Sequence, residues 1–217
     1  MNDILPLLPQ FGHAMLTTLL VSIAGAIFGV AGGFGLHILR LRAPREFAWP
    51  YRCYIWLIRG TPYISQLFIL YFGLPALGFR LSAVQATILS LALYSAAYFA
   101  EIFRSAWSSI PRGQQEAAEA FGISRQACFM HIELPQALAF ALPLLANQII
   151  LVIKESAVSS IITVPELTMT TSDIVASTYS YIIPYALLII AYWQLTQTVA
   201  LTARAALRFV PFLRSPS

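Results

Sequence analysis

Charged side chains are scarce in this 217-residue sequence. Only 10% of the residues are charged, against about 25% in an ordinary soluble domain, and 59% are hydrophobic. This composition excludes a typical soluble protein and indicates an all-α membrane protein, which we treat as one transmembrane domain over residues 1–217. The net charge of +4 is therefore expected to bear on orientation in the bilayer, and nucleic acid is not expected as a partner.

Several other features are missing, and each absence excludes a class of chemistry. The two cysteines, Cys53 and Cys128, show neither a CxxC pair nor a metal-ligand spacing, and the three histidines are scattered. No G-x-x-x-x-G-K-[ST] phosphate loop is present, and Lys154 is the only lysine. A basic stretch ahead of the first apolar run is also missing, so a cleaved signal peptide is not expected. We expect no catalytic residue, metal or cofactor in this chain.

Long runs without charge divide the chain into five predicted membrane spans. Each run is about 20 residues long, which is enough for a helix to cross a hydrocarbon core of roughly 30 Å. The backbone must satisfy its hydrogen bonds internally in lipid, so these runs are predicted to be helices. The predicted spans are 14–38, 62–79, 82–104, 135–154 and 181–203. In the first span, Gly25, Gly29 and Gly33 have the spacing of a close helix–helix contact.

The basic residues predict the orientation of these spans. Eleven of the thirteen fall between spans one and two, between spans three and four, or after span five. Basic residues concentrate in the cytoplasmic loops of membrane proteins. These eleven are Arg40, Arg42, Arg45, Arg52, Arg59, Arg104, Arg112, Arg125, Arg204, Arg208 and Arg214. We therefore expect the N-terminus outside, the C-terminus in the cytoplasm, and Arg80 and Lys154 on the outer side.

The most polar stretch, EAAEAFGISRQACFMHIELP, lies between spans three and four. It begins at Glu116 and ends at Pro135, and a helix start is allowed just after Pro111. Glu116 and Glu119 are expected near the helix N-terminus, where acidic groups are favoured, and Gly122 is expected to end the helix and reverse the chain. We call residues 111–134 the polar hairpin. It is predicted to be a helix, a turn and a returning helix in the cytoplasm.

Four motifs in this order resemble the permease subunits of ABC importers, in particular the polar amino acid branch (histidine, glutamine, arginine and opine types). Residues 116–135, which include most of the polar hairpin, match every specified position of the EAA-x3-G-x9-I-x-LP loop. The other three are RGTP-x3-QLF from Arg59 to Phe68, AYxxEIFR from Ala97 to Arg104, and NQ with KES from Asn147 to Ser156. The resemblance covers roughly residues 14–205 and implies a type I importer transmembrane domain in the bacterial inner membrane.

The resemblance also implies partners. The polar hairpin would be the coupling helix that docks on a cytoplasmic ABC ATPase dimer, which would bind ATP and magnesium. A second permease subunit, a periplasmic solute-binding protein and an amino acid substrate would complete the importer. The residues expected to couple to the ATPase are Arg112, Glu116, Ala117, Ala118, Gly122 and Arg125.

A substrate pathway is expected among polar residues of the spans, because polar groups at membrane depth are costly. Positions 147, 151 and 154 share one helix face, and positions 148, 151 and 155 share another. The candidates are Thr61, Gln66, Tyr98, Asn147, Gln148 and Lys154. The family often has Glu where this chain has Gln148, so a pathway dedicated to arginine or lysine is not expected. The family often has Asn-Ser-Gly where this chain has Tyr94-Ser95-Ala96, and the bulk of Tyr94 would narrow the cavity.

Two other classes of function are alternatives to an importer subunit. A self-sufficient carrier or channel would need its own coupling-ion site or pore ring, yet Glu101 is the one acid clearly inside a predicted span. We expect Glu101 to pair with Arg104 across one helical turn. A membrane-embedded enzyme would need His, Asp, Glu or Ser side chains clustered at one depth, and the sequence gives no such cluster.

Overall fold

The computed structural model describes residues 7–43 and 45–208 and is helical, with no strand among them. The helices are α1 (Leu8–Arg42), α2 (Ala48–Gly60), α3 (Tyr63–Phe68), α4 (Ala83–Ser108), α5 (Arg112–Ala120), α6 (Arg125–Cys128), α7 (Leu134–Glu155), α8 (Leu167–Thr178) and α9 (Ile182–Arg208). Two π-helical turns, Ile69–Gly73 and Phe129–Glu133, and two 3-10 turns, Leu74–Leu77 and Ser156–Ile162, extend α3, α6 and α7. Arg214, used above for orientation, lies outside the described residues.

Four helices of the described chain are long and apolar enough to cross a membrane: Leu8–Arg42, Ala83–Ser108, Arg125–Ile162 and Ile182–Ala206. The region of the predicted second span, 62–79, forms a shorter apolar helix, Tyr63–Leu77. Its second half consists of a π turn followed by a 3-10 turn, and Gly78 then turns the chain with a φ of +87°. A capping box between Ser82 and Gln85 starts the next long helix, α4.

The returning arm of the polar hairpin is continuous with the fourth span, from Arg125 to Ile162. The sequence predicts that the fourth span begins at residue 135, and Pro135 lies in the first turn of α7, where a proline is tolerated. The π turn Phe129–Glu133 comes just before this proline. The side-chain amide of Gln136 donates to the Ile132 carbonyl at 2.8 Å. This local rearrangement lets the helix pass through Pro135 without a break.

The first span packs against α4 through its glycines. A Cβ placed on Gly33 would lie 2.8 Å from the backbone nitrogen of Ala100, and one placed on Gly29 would collide with the Ser95 hydroxyl. The Ser95 hydroxyl also donates to the Gly25 carbonyl at 3.3 Å. The close packing expected from the glycine spacing is therefore confirmed, and α4 is held at the centre of the helix bundle.

On the other side of the bundle, Glu166 ties α8 to α9. It is fully buried at the start of α8, where its carboxylate accepts hydrogen bonds from the Met169 N–H at 2.7 Å and the Tyr192 hydroxyl at 2.9 Å. The Thr18 hydroxyl of α1 accepts a further bond from the Leu167 N–H at 3.2 Å. A buried carboxylate is tolerated where it is hydrogen-bonded in this way. These bonds fix α8 against both neighbouring helices.

Candidate functional site

The polar hairpin has the local structure that its sequence predicts, except for the position of its acids. Its first helix, α5, runs from Arg112 to Ala120, and Gly122 follows with a φ of +71°. The Ile123 N–H donates to the Ala118 carbonyl at 2.9 Å, which is the closing bond of a Schellman turn. Gly122 as the reversing residue is thus confirmed. The expectation that both acids lie near the helix N-terminus is wrong, because α5 has no acidic residue in its first turn and Glu119 lies in its last.

The expected coupling residues lie on the exposed surface of this hairpin, with one exception. Arg112, Glu116, Ala117, Gly122 and Arg125 are exposed. Ala118 is 4% exposed and faces the returning arm. Sequence reasoning overlooked Phe121, which is 84% exposed at the tip, beside Ile123 at 40%. A large apolar residue within the most polar stretch of the sequence could have indicated this position. The tip thus exposes apolar side chains between the charged residues Glu119 and Arg125 of the sequence, and such a surface suits docking on another protein.

Thr61 and Gln66 form side-chain hydrogen bonds at the junction between α2 and α3. Pro62 interrupts the helix there, and the Gln66 side-chain amide donates to the Ile58 carbonyl at 2.8 Å and to the Thr61 hydroxyl oxygen at 2.9 Å. The Thr61 hydroxyl in turn donates to the Leu57 carbonyl at 2.8 Å. Both residues also line an apolar cavity of about 220 Å³ between these helices and α4. Their geometry accounts for the kink between α2 and α3.

Tyr98 belongs to a row of aromatic rings on the side of α4 that faces α2 and α3. The Tyr63 and Tyr94 ring centroids are 5.2 Å apart, and those of Tyr94 and Tyr98 are 4.8 Å apart. The Arg59 guanidinium lies over the Tyr98 ring, 5.3 Å from its centroid. Tyr94 is only 9% exposed. Its ring therefore fills space in this helix contact.

The three candidates on α7 divide between two faces. Asn147 and Lys154 are exposed together with Leu151, whereas Gln148 is 4% exposed. The amide nitrogen of Gln148 has no hydrogen-bond partner among the described residues. An exposed helix face that carries an amide and an ammonium group within an apolar span is unsuited to lipid. The geometry instead suits a face that lines a polar space in an assembly.

Glu101 and Arg104 form the expected ion pair. The guanidinium binds both carboxylate oxygens, at 2.9 to 3.0 Å. The Tyr51 hydroxyl of α2 donates to the same carboxylate at 2.7 Å, and Arg59 approaches it at 4.0 Å. Burial, together with the bond to Glu101, raises the pKa of the Tyr51 hydroxyl well above its ordinary value, so the hydroxyl remains a donor. This cluster fastens α2 to α4.

The described residues contain no group of three His, Cys, Asp or Glu side chains that could hold a metal ion. A cavity of about 590 Å³ lies between the start of α1 and α8, and its lining includes His13, Thr17 and Asp173. It opens widely to the surface, and its lining shows no nucleophile–base pair.

Comparison with known proteins gives one consistent result. Residues 25–208 match the family described as "Binding-protein-dependent transport system inner membrane component". The chain is 40% identical over 183 residues to a "Probable amino-acid ABC transporter permease protein YckA" of Bacillus subtilis (strain 168), which covers 84% of this chain and 81% of that protein. It is 33% identical over 205 residues to the "Arginine transport system permease protein ArtQ" of the same organism, with 94% of each chain covered.

Solved structures agree with these relatives. A chain from "Crystal structure of an amino acid ABC transporter with histidines" superposes with a TM-score of 0.89 at 30% identity, over 95% of this chain and 97% of that chain. A chain of the inward-facing MetNI methionine ABC transporter superposes with a TM-score of 0.77 at 21% identity, over 94% and 98%. The second likeness concerns the fold alone.

Proposed function

Because the chain belongs to the family of binding-protein-dependent transport system inner membrane components, we propose that it is the permease subunit of an ATP-driven importer for a polar amino acid or a derivative of one. The relatives named above are amino acid permeases. The substrate would cross between the spans of this chain and those of a second permease subunit. Which amino acid is carried depends largely on the binding protein that delivers it.

The observation that carries the proposal is the exposed polar hairpin. Its tip presents the exposed Phe121, and Glu116 and Arg112 are exposed on the helix α5 that leads to this tip. A helix that is closed by a Schellman turn can transmit the movement of a partner without changing its own conformation. The ATPase dimer would receive this tip, and ATP and magnesium would bind in that partner, not in this chain.

The mechanism that follows is alternating access. ATP binding would close the ATPase dimer and move the hairpins of two permeases together, so that the spans rock about a central site. A periplasmic binding protein would release its amino acid into the outward-open site. Hydrolysis would then return the cavity to the cytoplasmic side. This sequence requires the periplasmic N-terminus and cytoplasmic hairpin that the basic residues predict.

The α7 face with Asn147 and Lys154 is the strongest candidate for the wall of the central site. An amide and an ammonium group at membrane depth can hold the carboxylate of an amino acid. Gln148 faces the interior of this chain, where its unpaired amide nitrogen would gain a partner if the helices shifted. Thr61, Gln66 and Tyr98 would shape the path from the side of α2, α3 and α4.

The first experiment is purification of the tagged chain from its host in mild detergent, with mass spectrometry of the proteins that accompany it. We expect an ABC ATPase, a permease of the same or a similar kind, and a binding protein. Uptake into proteoliposomes should then require ATP. A chain that transports without ATP or partners would favour the self-sufficient carrier or channel, and would contradict the importer.

Phe121→Ala tests whether the hairpin tip binds the ATPase. Removing an exposed aromatic anchor from an interface costs at least about 2 kcal/mol, which is about 30-fold in affinity. Phe79→Ala is the matched control, because Phe79 is 66% exposed and lies near Arg80, on the predicted outer side. The ATPase should be lost with the first variant and retained with the second. Equal retention by both would exclude Phe121 as an anchor.

Gln148→Ala tests the substrate pathway. We expect lower transport, with the ATPase still bound, because the substitution lies within α7, far along the chain from the hairpin tip. Asn147→Ala probes the exposed face of the same helix in the same assay. Transport kinetics that are unchanged in both variants would remove α7 from the pathway.

A further inference from the structure

The first helix of the polar hairpin, α5, is held to the spans by little apolar packing. Ala118 is the only buried residue between 112 and 120, whereas Phe129 and Leu134 of the returning arm pack against the core of the bundle. Buried apolar area contributes roughly 25 cal/mol per Å², so one small side chain cannot fix the angle of a helix that receives a push. Directional hydrogen bonds to the spans must therefore set the position of α5.

One of these bonds ends on Glu133, at the end of the π turn that leads into α7. Its carboxylate accepts from the Gln115 side-chain amide of α5 at 3.0 Å and from the Trp107 indole N–H of α4 at 3.2 Å. The Cys128 thiol of α6 makes a third, weaker contact at 3.8 Å. Among the described residues, no basic group lies within 4.0 Å of this carboxylate. Glu133 thus joins three helices through neutral donors, each strengthened by its charge.

A second pair of bonds lies one residue earlier on α5. The side-chain amides of Gln114 and Gln136 bind each other reciprocally, at 3.1 and 2.7 Å. Gln136 is three residues after Glu133, so the two connections to the base of the fourth span lie about one helical turn apart. Two attachment points on consecutive residues oppose rotation of α5 as well as its displacement.

From Glu133 the contacts continue into the bundle through Trp107. This indole is 8% exposed and stacks on the Phe129 ring, with centroids 5.6 Å apart and an interplanar angle of 18°. Its other side meets the His37 ring of α1 at 4.7 Å. A displacement of α5 therefore reaches α4 through two hydrogen bonds that share the Glu133 carboxylate, and reaches α1 through one further ring contact. The path runs from Gln115 through Glu133 and Trp107 to His37.

We propose that Glu133 is a positioning residue for transport, which connects the polar hairpin to α4 and so transmits its movement to the spans. The role rests on the proposed function, because it requires an ATPase that moves the hairpin. Glu133 itself would touch neither the amino acid nor the nucleotide. It occupies an unspecified position of the EAA-x3-G-x9-I-x-LP pattern, and the motif therefore gave no reason to select it.

The first test measures coupling in the complete transporter, purified with its ATPase and binding protein and placed in proteoliposomes. Glu133→Ala removes the acceptor, and Trp107→Phe keeps an aromatic ring but removes the indole N–H. Both variants should retain the bound ATPase and its basal hydrolysis. The number of solute molecules moved per ATP should fall by about 2- to 30-fold, the range for removing one member of a coupling network. Glu46→Ala, an exposed acid outside the hairpin, should leave this ratio unchanged.

An unchanged ratio in both variants would overturn the proposal. Loss of the ATPase from both variants would also overturn it, since Glu133 would then serve assembly and not transmission. The double variant separates the two residues further. If they act through one bond, the combined loss should be no greater than that of Glu133→Ala alone, whereas independent roles would multiply the two losses.

The second test needs no partner and therefore separates this inference from the proposed function. Hydrogen–deuterium exchange of the detergent-purified chain reports how firmly the hairpin is held. Glu133→Ala should raise exchange over residues 112–124 and leave residues 140–152 unchanged. Unchanged exchange at 112–124 would reject the connection even in a working importer. A wild-type chain that binds no ATPase would instead refute the importer, and the transport role of Glu133 with it.

Discussion

At the scale of single residues, the contact between α1 and α4 depends on the absence of side chains at particular glycines. We predict that Gly33→Ala destabilises the chain by about 1–3 kcal/mol, because the added methyl would lie 2.7 Å from the Phe99 Cβ and 2.8 Å from the Ala100 nitrogen. Gly35→Ala, on the same helix with open space around it, is the matched control and should not destabilise the chain, since alanine is the better helix former by up to about 1 kcal/mol. Denaturation of both variants in mixed micelles measures the difference. A similar loss in both would point to helix flexibility instead of packing.

Single residues also mark the limit of what the motifs predict. The spacing of the glycines was sufficient to predict a packed face, since steric closeness follows from residue size alone. Thr61 and Gln66 were predicted as pathway residues from a family motif, and a motif implies a role without specifying a geometry. In the structure, both side chains form hydrogen bonds at the Pro62 junction. Their place in a substrate pathway stays a prediction. Gln148, with an unpaired buried nitrogen, has free capacity for a new bond.

At the scale of the element, the polar hairpin depends on two glycines in opposite ways. We predict that Gly122→Ala loosens the turn, because a left-handed conformation costs a residue with a Cβ roughly 1–2 kcal/mol, and Gly122 has a φ of +71°. Gly113→Ala should do the reverse, since Gly113 lies within α5 with open space around it, and alanine is about 1 kcal/mol better in a helix. Hydrogen exchange over residues 112–124 should rise in the first variant and fall in the second. Parallel changes would contradict this assignment.

The same element shows why local sequence rules fail in one place. Glycine adopts the left-handed conformation without steric cost. Gly122 therefore indicated a turn, and this prediction is confirmed. Pro135 was predicted to begin the fourth span and does lie in the first turn of α7. The helix nevertheless continues unbroken from Arg125 to Ile162 through the π turn Phe129–Glu133. The sequence did not predict this continuity, because a π turn depends on the backbone pairing of a whole turn and not on the type of one residue.

At the scale of the whole molecule, charge-free runs predicted the helices that cross the membrane because lipid permits few alternatives. The second span differs most, as Tyr63–Leu77 is short and irregular. The junction at Glu133 could not be predicted, because Trp107 and Glu133 are 26 residues apart in the chain and meet only once the helices have packed. Phe121, in contrast, could have been identified from the sequence alone, because it is an apolar residue within a polar stretch.

The orientation of the whole chain is predicted from eleven of thirteen basic residues on one side, and Cys53 offers a direct test. This thiol is exposed on α2, whereas Cys128 is buried. A membrane-impermeant maleimide should therefore label the wild-type chain in inside-out vesicles and not in intact spheroplasts. Cys53→Ser should abolish the labelling, and Arg80→Cys added to it should restore labelling in spheroplasts only. The reverse pattern would place the polar hairpin outside, where no ATPase could reach Phe121, and would refute the proposed importer.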